Sequence, residues 1–220
     1  MNRFVEAAGT DVVDVAVPAG LRRFLSDRPR AAVGSVCEMC AETLIENHSH
    51  VVDLDARNLM CTCRACYLLF TSEGAGRGRF KVVPDRYLHD PDFVLSRQDW
   101  NALQIPVDMA FFFRNSTMAE IVAFYPSPAG ATESTLPLES WEAIQAANPG
   151  LAGMEDDVEA LLVRRLGDGF ECYLVPIDRC YELVGRVRRA WKGFDGGTEL
   201  WRDLDGFFAD LAVTCARGRS

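Results

Sequence analysis

Apolar residues near the end of the chain recur at three- and four-residue intervals. Leu200, Trp201, Leu204, Phe207, Phe208, Leu211 and Cys215 form one wide stripe, which predicts an amphipathic helix over Thr198 to Cys215. A stripe at that spacing is core and not a cofactor box. A second helix is predicted over Asp178 to Lys192, with Asp178 as N-cap and Gly193 as stop, and a third over Leu138 to Ala147, ended by Asn148-Pro149. Between the helical segments the runs are β-rich: Val107 to Arg114 and Met118 to Tyr125 around Asn115-Ser116-Thr117, then Val158 to Leu166 and Phe170 to Val175 joined through Gly167-Asp168-Gly169. Asp-Gly between apolar runs is a hairpin signal. Two hairpins predict a four-stranded antiparallel sheet packed with about three helices, an α+β fold.

The first part of the chain reads differently. Leu21, Phe24 and Leu25 supply one short helical stripe before Pro29 stops it. Val51 to Leu54 and Leu59 to Cys61 are predicted strands around an Asp55 to Asn58 turn, Tyr67 to Thr71 is another, and Phe80 to Val83 is a last one beyond Gly74, Gly76 and Gly78. This is the layout of a zinc ribbon. Pro84 to Pro91, with Asp85 and Asp90, reads as a linker. The expected organisation is a lead-in with a short helix over 1–34, a zinc-ribbon-like metal module over 35–85 and an α+β main domain over 86–220.

With 220 residues and 49% apolar content, the chain can bury a full core. No run of eighteen apolar residues occurs, and Glu6, Asp11 and Asp14 interrupt the stretch a signal peptide would need, so the expectation is a cytoplasmic protein without membrane insertion. Charge is uneven: the balance is −1 over residues 1–85 and −8 over residues 86–220. So acidic a body argues against nucleic-acid binding, which relies on clustered Lys and Arg. Arg77, Arg79, Lys81 and Arg86, and the acidic run Glu155-Asp156-Asp157, read as solvated surface features.

The chemistry concentrates in one place. Cys37-Glu-Met-Cys40 and Cys63-Arg-Ala-Cys66 are paired knuckles, with His48, His50 and Cys61 between them, so seven of the eleven Cys and His residues lie within thirty positions. In a reducing compartment, paired C-x-x-C turns aim their sulfurs at one tetrahedral point and form a metal site in preference to disulfides. The expected ligands are Cys37, Cys40, Cys63 and Cys66. Alternatives stay open: Cys61 is two positions from Cys63 and shares its face on an extended strand, and His48 and His50 share that geometry, so any of the three is an alternate ligand. An open or second metal position built from these same three residues is a further alternative. Zinc is the expected ion. Iron is the alternative, although Ala41 and Tyr67 follow the knuckles where rubredoxin-type sites place glycine. Cys172, Cys180 and Cys215 lack knuckle spacing and read as small buried hydrophobes.

No G-x-S-x-G, phosphate-binding loop or dinucleotide fingerprint occurs. The small-residue stretch Tyr125 to Ser134 is long for a bare connection and is a candidate binding loop. Taken together, Cys37-x-x-Cys40, His48-x-His50, the C-x-C-R-A-C within Leu59 to Phe70, the Tyr125 to Ser134 loop, and Tyr173-Leu-Val-Pro-Ile-Asp178 with Trp191-Lys-Gly resemble an uncharacterised bacterial family encoded beside nickel-iron uptake hydrogenase genes. The resemblance implies an accessory or maturation protein that docks a partner, a hydrogenase subunit among the candidates. Two functions are therefore expected to compete: a non-enzymatic accessory protein with a structural zinc, and a rubredoxin-like electron carrier or metal- or cluster-handling protein. A zinc hydrolase would require an open coordination position.

Overall fold

The computed structural model describes residues 36–72, 74–134, 138–149, 153–193 and 196–217. The short helix expected around Leu21 to Leu25 lies outside the described residues. The class is α+β, built on two sheets. A small sheet has the order β2-β1-β3, from β1 (Ser49–Asp53), β2 (Asn58–Thr62) and β3 (Phe80–Val82). A large antiparallel sheet has the order β4-β9-β8-β5-β6-β7, from β4 (Leu88–Asp90), β5 (Met109–Asn115), β6 (Glu120–Ser127), β7 (Gly130–Ser134), β8 (Glu159–Leu166) and β9 (Gly169–Pro176). The helices are α1 (Arg64–Leu69), α2 (Arg97–Ala102), α3 (Leu138–Ala147), α4 (Ile177–Ala190) and α5 (Gly197–Arg217).

The expected four-stranded sheet is thus corrected to six strands, and the expected three helices are joined by α1 and α2. The two added strands are the edges. β4 lies inside the expected linker and pairs Leu88 to Asp90 with Leu174 to Cys172 of β9. β7 lies inside the expected binding loop and pairs Gly130 to Ser134 with Ser127 to Ala123 of β6. An edge strand needs backbone partners on one side only, so residues of poor β-propensity suffice there and leave no apolar alternation to read. The expected strand over Tyr67 to Thr71 is also corrected, because the chain turns helical at Cys63.

The central strands are buried on both faces, which is why they read as continuous apolar runs. In β5, Met109 and Phe111 join one core while Ala110 and Phe112 join the other; Ala160 and Leu162 oppose Leu161 and Val163 in β8 in the same way, and Tyr173 and Val175 oppose Cys172 and Leu174 in β9. The first core is closed by α4 and α5 through Leu183, Val187, Leu204 and Leu211, and the second by α2 and α3 through Trp100, Trp141 and Ile144. Cys172, Cys180 and Cys215 are buried within these cores.

The small sheet is tied to the large one. Val83 lies in the first core, and Val52 and Leu59 pack against it. Lys81 Nζ donates to the Asp156 carbonyl at 2.7 Å across the two sheets, whereas Arg79 pairs with Asp53 at 2.6 Å within the small one. Arg86 grips the fully buried Glu159 carboxylate with Nε and Nη2, the Nε contact being 2.7 Å. Arg79, Lys81 and Arg86 are therefore internal ties and not a free basic patch. The acidic run is likewise engaged, with Arg114 on Asp156 at 3.0 Å and the Ser116 N–H donating to Asp157 at 2.9 Å.

Candidate metal centre

The first knuckle is a tight turn in which the Ala41 N–H donates to the Cys37 carbonyl at 2.8 Å. Ala41 leaves it in the left-handed region, at φ +63°, a conformation that glycine adopts without strain. The second knuckle is a helix start. Cys63 is the N-cap of α1, and its sulfur accepts from the Cys66 N–H at 3.5 Å, so the candidate ligand and the cap are the same atom. The first knuckle docks on β2 through Cys61: the Glu38 N–H donates to the Cys61 carbonyl at 2.9 Å, and the Cys61 N–H donates to Glu38 Oε2 at 2.5 Å.

These turns bring the sulfurs of Cys37, Cys40, Cys63 and Cys66 within 4.8 Å of one another. Four sulfurs about 2.3 Å from a tetrahedral ion stand about 3.8 Å apart. Cys40 Sγ and Cys63 Sγ are 3.7 Å apart, at the tetrahedral edge and far beyond the roughly 2.05 Å of a disulfide. The group can hold a metal ion. Its electrostatics point the same way. Burial opposes ionisation of Cys37, but the N–H groups of Cys63, Cys40 and Met39 outweigh it and bring the thiol down to about 6. Cys66 is pushed well up by burial and by the thiols of Cys40, Cys63 and Cys37. Without a cation the Cys37 thiolate is favoured while Cys66 resists joining it, so a full thiolate shell calls for a shared positive charge.

A second group forms beside the first. A ring nitrogen each of His48 and His50 and the sulfur of Cys61 lie within 4.8 Å of one another. The register of β1 on β2 sets His50 opposite Cys61, and His48 precedes β1 by one residue, on the face of His50. Cys61 and Cys63 separate because β2 ends at Thr62 and the chain then turns into α1. All seven candidate residues are thus in clusters, four in one and three in the other. Asp178 is expected from the sequence as the N-cap of its helix, but the N-cap is Pro176. Asp178 lies in the first turn of α4, behind Pro176, and its Oδ2 is 2.8 Å from His50 Nδ1.

Fold and site together define an α+β protein carrying a four-cysteine cluster of metal-binding geometry on a small three-stranded sheet. No curated protein and no solved structure matches the chain. A family of unknown function, DUF5947, matches residues 36–215, and the chain belongs to it. Among the described residues no helix is long and apolar enough to cross a membrane.

Proposed function

We propose that the protein is a non-enzymatic accessory protein in which Cys37, Cys40, Cys63 and Cys66 hold a structural zinc ion and the ribbon they stabilise presents a surface to a protein partner. The observation carrying this reading is the convergence of four sulfurs at tetrahedral-edge separation. A four-thiolate shell leaves no position for water or substrate, so it braces and does not catalyse. Zinc is favoured over iron because Ala41 and Tyr67 stand where rubredoxin-type knuckles carry glycine. The ribbon also exposes apolar side chains near the knuckles, with Ile45 74% and Leu69 66% accessible, which suits a docking surface. The partner implied by the family resemblance is a nickel-iron hydrogenase subunit, and the setting is cytoplasmic.

Metal analysis and affinity capture of the purified full chain test both halves. A colourless protein with tightly held zinc, capturing hydrogenase subunits in a manner abolished by Ile45→Glu with Leu69→Glu, is the expected result. Iron-thiolate absorption would replace the zinc brace with an electron carrier, and capture unaffected by the double variant would remove this surface.

A further inference from the structure

We propose that His48, His50 and Cys61 form a second metal site, distinct from the four-cysteine cluster, which takes a late first-row divalent cation such as zinc and keeps one coordination position open. It goes beyond the structural brace, since a three-ligand set leaves room that a four-sulfur shell does not.

The hydrogen bonds around the imidazoles set up the site. His48 Nδ1 lies 3.0 Å from the Ile45 carbonyl, which can only accept, so Nδ1 carries the proton and Nε2 the lone pair. That Nε2 is buried and has no hydrogen-bond partner among the described residues. A buried nitrogen without a partner is destabilising, and a bound cation removes that cost. His50 Nδ1 faces the Asp178 carboxylate at 2.8 Å, off the direction of an aligned hydrogen bond. A carboxylate at this distance can orient a metal-ligating ring once the Nδ1–H turns onto it, which leaves Nε2 for the ion. The ring centroids are 4.7 Å apart and tilted by 51°, so the imidazoles converge without stacking flat. Nitrogen and sulfur donors about 2.0–2.3 Å from a tetrahedral ion stand about 3.3–3.6 Å apart, within the 4.8 Å limit that the three atoms meet.

The donor set fits the ion class. Two imidazoles and one thiolate suit zinc and its neighbours and not magnesium or calcium, which take oxygen. Binding releases the Cys61 thiol proton to solvent, since the thiolate is the ligand. Both histidines line a cleft of about 880 Å³ together with Arg64, Tyr87, Arg179 and Glu182, so the open position can receive water or a ligand from a partner.

Titrating the metal-free, reduced full chain with Zn²⁺ under native mass spectrometry tests the proposal. Two ions should bind. His48→Gln and Cys61→Ser should each remove the second while keeping the first, and Asp178→Asn should weaken the second about 10–100-fold. Cys40→Ala should remove the first ion, which separates failure of the structural brace from failure of this site. Should Cys61→Ser misfold, Co²⁺ added to zinc-loaded protein gives a second reading: a cobalt–thiolate charge-transfer band is expected in the wild type, with its affinity cut at least tenfold in His48→Gln. A single ion in the wild type, a second ion bound equally well by His48→Gln, or loss of both ions together in that variant would each overturn the proposal.

Discussion

The ribbon and the body solve the same problem with different means. The body closes on two apolar cores in which Phe111, Leu162, Leu183 and Leu211 are fully buried. The ribbon's own cluster consists of Cys37, Cys63 and Cys66, with Met39 and Leu44 only partly covered. Burying a Leu or Phe side chain stabilises by about 1.5–3 kcal/mol, and the ribbon has few to bury. On the proposed function, a region with so small a core is held by ligation and by charged ties to its neighbour. Removing sulfur should therefore affect one region, and removing a tie should affect the joint between them.

The largest effect is expected from Cys40→Ala. Structural zinc contributes roughly 10–16 kcal/mol of apparent binding free energy in small peptides, so the ribbon should open while the large sheet persists. Hydrogen exchange should show β1 and β2 amides losing protection with β8 and β9 unchanged; simultaneous loss in both sheets would make them one cooperative unit and erase the contrast. Next comes Arg86→Ala, which leaves the buried Glu159 carboxylate with only the Glu155 N–H and, Arg86 being partly exposed, should cost about 2–3 kcal/mol in urea unfolding. A cost below about 1 kcal/mol would show the tie to be dispensable.

Smaller effects sharpen the picture of the knuckle and the β1 turn. Ala41→Gly relieves a left-handed φ and should stabilise the ribbon by up to about 1 kcal/mol, read as slower release of zinc to a chelator; faster release would mean that the turn is unstrained. Asp53 is held down to about 2 by its hydrogen bonds with Arg79, against burial. Its folded value lies below its unfolded value near 4, so the stability it contributes is present above pH 4 and is lost as pH falls towards 2. Asp53→Asn should therefore be less stable than wild type at pH 6, with the gap closing towards pH 3. Because the knuckles are common to both proteins, comparing them cancels acid release of the metal, and a gap independent of pH would contradict the assignment.

Those outcomes also bear on what the sequence could disclose. The central strands are legible as continuous apolar runs, buried on both faces, and the helices α3, α4 and α5 as periodic apolar stripes. The edge strands are not, because backbone pairing holds Leu88 to Asp90 and Gly130 to Ser134 without such a pattern. At the candidate centre, knuckle spacing disclosed the four cysteines, while the fate of Cys61 depended on where β2 ends. Asp178 was hidden for another reason: it reaches His50 from α4, more than a hundred residues away in sequence, and no local spacing records such a meeting.

One ion is proposed to sit among the four thiolates. X-ray absorption at the zinc edge, on the His48→Gln chain carrying a single zinc, tests it most directly. Four sulfur neighbours at about 2.3 Å are predicted. A shell containing nitrogen or oxygen, or a chain that retains no zinc at all, would contradict it.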